Sequence, residues 1–345
     1  MEMTKKERIM TAVRGGKPDK TPYSLWSHMP QFDHDADQIT DQTLAFYEKY
    51  DLDFIKTMNN GMYSIEDFGV EIDYSTVAQG GKAELVSTPV HTAADWLNLS
   101  RPSIQEGALG RELHYLQMLK RRLGEDDVPV IFTVFSPIST VNKLCGGNAA
   151  TYIHDGHGNE IKAALELITE VTCDLAKEAI HLGADGIFLA AQMSNYTNEM
   201  ATEPLKENEY EEFGKPYDIR VLEAARSAGG WMNTLHCHGT DIMFNILKDY
   251  PVDVFNWHVW ETYPTLDETL EFTGKCLMGG LKRFDITHCQ FNAIHHQIYK
   301  CLKITGGKNL ILTPGCVIRY PLNEEMLHYV RKTLEEEERI LKITS

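Results

Sequence analysis

Short runs of β-branched and aromatic residues recur along the chain, each closed by turn residues and followed by apolar positions at helical spacing. Eight such runs stand out, at 22–27, 53–58, 129–136, 186–192, 231–238, 254–260, 277–282 and 310–316. The stretches between them carry the 3.6-residue period, as at 160–168, continuing to Ile180, and again at 266–272. Gly183 and the pair Gly306-Gly307 stand where helices should stop and strands begin. Strand and helix in strict alternation predict βα units around a parallel sheet.

Eight units favour a closed (β/α)8 TIM barrel over an open doubly wound sheet, and no GxGxxG turn follows a strand as the open form would need. The polar helical stretch at the start reads as an N-terminal extension. Residues 75–127 read as an excursion from a single barrel domain, with a helical run of their own at 113–123, and 323–341 as a closing surface helix.

Charge narrows the partners. Thirty-three basic and 50 acidic residues give a net charge of −17, which repels nucleic acid and anionic membranes alike. No run is long and apolar enough for a span, and Met1–Lys6 lacks the apolar centre of a signal peptide, so a cytoplasmic protein is expected. A small-molecule substrate fits best, and a homodimer stays open.

A (β/α)8 barrel carries its chemistry at the C-terminal ends of its strands. Read in order, those ends present Trp26 and His28; Met58, Asn59 and Asn60; Ser136; Gln192; His236 and His238; His258, Trp260 and Glu261; and Cys316. In Leu235-His236-Cys237-His238-Gly239 the two histidines share one face of the strand and Cys237 takes the other. Two imidazoles at i and i+2, with a thiolate delivered by Thr313-Pro314-Gly315-Cys316, make a His2Cys set, a pattern of catalytic zinc sites with one open position. His258 or Glu261 would be the fourth ligand or the general acid–base group. The same histidines also suit packing or direct substrate contact without metal. The other six cysteines are assigned to packing, His295-His296 to a helix surface, and His154 and His157 to a surface loop.

Several stretches resemble the uroporphyrinogen decarboxylase superfamily: Arg8-Ile9-Met10-Thr11-Ala12-Val13-Arg14-Gly15-Gly16-Lys17-Pro18-Asp19-Lys20-Thr21-Pro22, Phe132-Thr133-Val134-Phe135-Ser136-Pro137, and 310–316 with Pro321-Leu322-Asn323-Glu324. The resemblance implies a (β/α)8 barrel. It argues against true porphyrinogen decarboxylation, because the decarboxylase's arginine-rich segment after the first strand is replaced by Ser27-His28-Met29-Pro30-Gln31-Phe32-Asp33-His34-Asp35, and its aspartate falls near Asn59-Asn60. The corrinoid-dependent methyltransferase branch, with H-x-C on one strand and a cysteine ending the last, is similar at His236, His238 and Cys316, with histidine replacing the first cysteine.

That branch implies zinc-dependent methyl transfer between a thiol or methyl ether and a corrinoid protein. Trp26, Trp257, Trp260, Tyr63 and Met58 would then line an apolar wall, and Gln192 and Asn60 would orient the substrate. Two alternatives stand beside it. One is a metal-free decarboxylase or lyase using His236, His238 and His258 on a small acid or tetrapyrrole, with an anionic group near Arg319, Lys282 or Arg283. The other is a non-catalytic corrinoid or tetrapyrrole binder.

Overall fold

Burial on both faces decides the sheet: the chain is buried at every position of Val130–Phe135, Gly186–Ala191 and Cys276–Leu281, as parallel strands covered by helices must be. The computed structural model describes residues 2–79 and 83–343. Its strands are β1 (Ile55–Lys56), β2 (Glu71–Asp73), β3 (Glu84–Ser87), β4 (Val130–Phe135), β5 (Gly186–Ala191), β6 (Thr234–Cys237), β7 (Val254–Trp257), β8 (Cys276–Leu281) and β9 (Leu310–Pro314). Seven of them form one parallel sheet in the order β1-β4-β5-β6-β7-β8-β9, while β2 and β3 pair antiparallel outside it.

The sheet therefore has seven regular strands among the described residues, where the alternation predicts eight in a closed ring. The missing member is 22–27, which makes only isolated parallel bridges, Tyr23 to Leu312 and Ser27 to Ile318. Ser24 N donates to Leu312 O at 3.1 Å, but side chains take neighbouring donors. Thr21 N donates to Glu338 Oε1 at 2.5 Å and Tyr23 N to Asp53 Oδ2 at 2.9 Å, while Pro22 has no N–H to give. The segment nevertheless touches both edges of the curled sheet. Leu312 N donates to Pro22 O at 2.8 Å, and Asp53 N to Tyr23 O at 2.9 Å.

Helices pack outside the sheet. Gly158–His181 lies against Lys215–Ser227, and Phe291–Thr305 against Glu324–Leu341. Gly306 ends its helix in the left-handed region at φ 62°, a conformation that favours glycine. The excursion holds the β3 strand and the helix Gly107–Leu123, which packs on Ala36–Tyr50; its residues 80–82 lie outside the described ones. Among the described residues no helix is long and apolar enough to cross a membrane.

Candidate metal centre

Three strand ends deliver the polar groups. Alternation along β6 turns Leu235 and Cys237, both fully buried, to the face opposite His236. After β7 the chain turns sharply, with Val259 N on Trp257 O at 3.0 Å and Glu261 N on His258 O at 2.8 Å, so regular alternation ends at Trp257. Gly315 lets the end of β9 come close to that turn. A Cβ there would lie 2.7 Å from Trp257 O and 3.0 Å from His258 Cα, so only glycine permits the approach that seats Cys316 beside His258.

The ligand atoms of His236, His258 and Cys316 lie within 4.8 Å of one another, and all three residues are buried. His238 stands at the more open side, its ring centroid 5.8 Å from that of His236 and 5.7 Å from that of His258. The tightest trio thus contains His258, which the spacing offers as an additional ligand or acid–base group, and His238 lies beside it.

Neighbours orient each ring. Asn256 Oδ1 lies 2.5 Å from His236 Nδ1, and Asn256 Nδ2 donates to Met278 O at 2.7 Å. With its amide nitrogen committed to that carbonyl, Asn256 presents only an acceptor to His236, so the Nδ1 carries the proton and the Nε2 lone pair stays free. Phe188 stacks on the same ring at 5.0 Å. His258 Nδ1 lies 3.2 Å from Glu261 Oε2, and Lys282 pairs with Glu261 at 3.7 Å. The other nitrogen of His258, Nε2, is buried without a hydrogen-bond partner, which is the arrangement expected where a ligand atom belongs.

The charges agree with such a role. Burial works against ionising Cys316, but the neighbouring imidazoles of His236, His238 and His258 outweigh it and hold the thiol well below its usual range. Burial also works against the His258 imidazolium, yet Cys316 and Glu261 prevail and push its pKa up to about 9. His236, where burial dominates, is shifted down. Two nitrogens and a thiolate around one point suit zinc, and the orphaned Nε2 makes the fit specific to this arrangement.

The remaining candidates divide. Trp26 is buried beside Phe188, ring centroids 5.9 Å apart, and His28 lies where burial, Lys56 and Arg319 lower its pKa to about 4 while Cys316 raises it. Gln192 follows β5 with its Oε1 buried and unpartnered, and Met58 is buried after β1. Others are occupied elsewhere. Tyr63 is fully buried, its hydroxyl donating to Thr133 O at 2.6 Å. Trp260 donates to Gly280 O at 2.8 Å, and Trp257 to Pro264 O at 2.9 Å. Asn60 accepts from Met62 N at 2.8 Å and faces His34, whereas the Ser136 hydroxyl is buried without a hydrogen-bond partner.

Sequence reasoning missed Asn256, Phe188 and Lys56. Asn256 left a trace, since Asn-x-His in β7 repeats the spacing of His-x-His in β6, and the two strands pair His236 with Asn256. Phe188 and Lys56 left none beyond their place in the strands β5 and β1.

A profile of the family described as uroporphyrinogen decarboxylase (URO-D) matches residues 4–337. Among solved structures, a methyltransferase from Methanosarcina mazei superposes with a TM-score of 0.81 at 17% identity, covering 97% of this chain and 99% of that one. A B12-independent methionine synthase from a Shewanella species gives 0.57 at 16% identity, covering 94% and 93%. A putative vitamin-B12 independent methionine synthase from Listeria monocytogenes gives 0.53 at 14%, covering 87% and 86%. At these identities the likeness speaks for the fold. No curated protein matches the chain.

Proposed function

The chain belongs to the uroporphyrinogen decarboxylase family, and we propose that it is a zinc-dependent methyltransferase moving a methyl group between a small thiol or methyl ether and a corrinoid protein. The observation that carries the reading is the convergence of His236, His258 and Cys316 on one buried point, with a fully buried nitrogen left unpartnered there. The methyltransferase among the similar folds supports it. We take the fold as a single (β/α)8 domain whose ring 22–27 completes, because that segment bonds to both sheet edges.

His236, His258 and Cys316 would hold the metal, with an open position on the side of His238. Zinc there would supply Lewis acidity, acidifying a thiol or polarising an ether oxygen. Asn256 and Glu261 keep the two buried rings in place. Glu261 is thereby a positioning residue rather than the acid–base group the sequence suggests. His238, nearer the opening, accepts the proton of an arriving thiol. Trp26 and Phe188 form an apolar wall that excludes water from the reacting carbon, and Gln192 offers its unpartnered amide oxygen to the substrate. A corrinoid protein would dock over the side where His28 and His238 are partly exposed.

The test is methyl transfer to a free corrinoid by protein purified without chelator. The reading expects metal-dependent turnover that His236→Ala abolishes. Full methyl transfer in chelator would contradict the metal's role, and decarboxylation of a small acid with no methyl transfer would favour a metal-free lyase, which the cations near His28 also suit.

A further inference from the structure

Lys56 is 6% exposed in β1, and among the described residues no carboxylate pairs with it. Its ammonium donates to Thr57 O at 3.2 Å and otherwise meets aromatic faces, 4.7 Å from the Phe188 centroid and 5.9 Å from that of Trp26. Burial lowers its pKa to about 7, against the partial support of Cys316. The indole N–H of Trp26, the ring 5.9 Å from that ammonium, is buried without a partner. Donors are therefore gathered here with one backbone acceptor between them, although the chain carries 50 acidic residues that could have supplied others. A ring links this place to the metal centre: Phe188 lies 4.7 Å from the Lys56 ammonium and stacks on His236 at 5.0 Å.

We propose that Lys56, with the Trp26 indole, is a binding site for the carboxylate of a small acid, and that the acid's other end reaches Cys316 and the neighbouring histidines. A monoanion matches a single ammonium, and carboxylate oxygens are the acceptors these donors lack. Aromatic faces attract the cation but leave its N–H groups unbonded, so they hold Lys56 ready without competing for them. The carboxylate site stands on its own contacts. Only its use as the far end of a methyl-transfer substrate rests on the function proposed above, and it would make that substrate a thiol or ether acid.

Two measurements separate these layers. In full-length protein labelled at lysine Cε, the Lys56 signal is identified by its loss in Lys56→Met and, independently, in Lys56→Gln. Propionate should shift that signal, and equal concentrations of inorganic phosphate or propanol should not. A signal that stays in place with propionate, or moves as far with phosphate, overturns the carboxylate site. With zinc-loaded protein, calorimetry should show 3-mercaptopropionate binding about tenfold tighter than ethanethiol, and that ratio should fall toward one in both Lys56 variants. A ratio unchanged by both variants overturns the link to the metal centre. If neither thiol binds while propionate still shifts Lys56, the carboxylate site is supported and the thiol chemistry is what fails.

Discussion

Asn256 Oδ1 meets His236 Nδ1 at 2.5 Å across the β6–β7 pair, and this bond decides which nitrogen of His236 faces Cys316. Asn256 cannot turn round, because its own Nδ2 is held by Met278 O at 2.7 Å. The amide thus does for the imidazole what carboxylates commonly do for metal-bound histidines.

Removing that amide should loosen the centre without emptying it. Asn256→Leu is expected to weaken zinc binding about 10- to 100-fold. Competition against a chromophoric chelator measures the change, and an affinity equal to that of the unaltered protein would show that Asn256 does not orient the ring.

Gly315 offers a test from the backbone side. In Gly315→Ala the new Cβ meets Trp257 O at 2.7 Å, so the β9 end must back away from the His258 turn. Overpacking of this kind costs about 1–3 kcal/mol, read in urea unfolding, and should lower zinc content in step. Retained metal with unchanged stability would mean that the close approach does not seat Cys316.

How much of this was legible in advance differs by level. The period of the pattern located every regular strand of the parallel sheet, because continuous apolar runs such as Val130–Phe135 have no other stable place than a covered sheet. At 22–27 it found a segment that makes only isolated bridges to the sheet, because Pro22 has no N–H and Asp53, distant in the chain, takes the Tyr23 donor. At the site, strand alternation put His236 and Cys316 in view. His258 was in view as a further ligand, but that it joins the tightest trio was not readable, since its place depends on the turn after Trp257 and on the bare backbone of Gly315. Tyr63 and Trp260 looked like an apolar wall from composition, but their polar tips are tied to Thr133 O and Gly280 O.

That last distinction gives a control. Tyr63→Phe loses a buried bond of 2.6 Å and should cost about 1 kcal/mol in unfolding free energy. Its zinc content should match the unaltered protein's. Loss of metal in this variant would put Tyr63 within the centre after all.

Glu112 sets a pH dependence away from the metal. Burial raises its pKa to about 8 although Arg111 and Asn59 pull it down, and buried Asp33 is shifted the same way. The folded protein holds these protons while the unfolded chain has already released its own. Stability should therefore fall as pH rises from about 5 to about 8. Glu112→Gln keeps an acceptor for Asn59 and should flatten part of that slope. Urea unfolding across this range checks the sign, and a stability that climbs toward pH 8 would refute it.

The central claim is a metal held by two imidazoles and one thiolate at a single buried point. X-ray absorption at the zinc edge, on protein purified without chelator, tests it most directly. The account predicts one zinc per chain with one sulfur at about 2.3 Å and at least two nitrogens at about 2.0 Å, and loss of the sulfur shell in Cys316→Ser. Absence of zinc, or zinc ligated without sulfur, would contradict it.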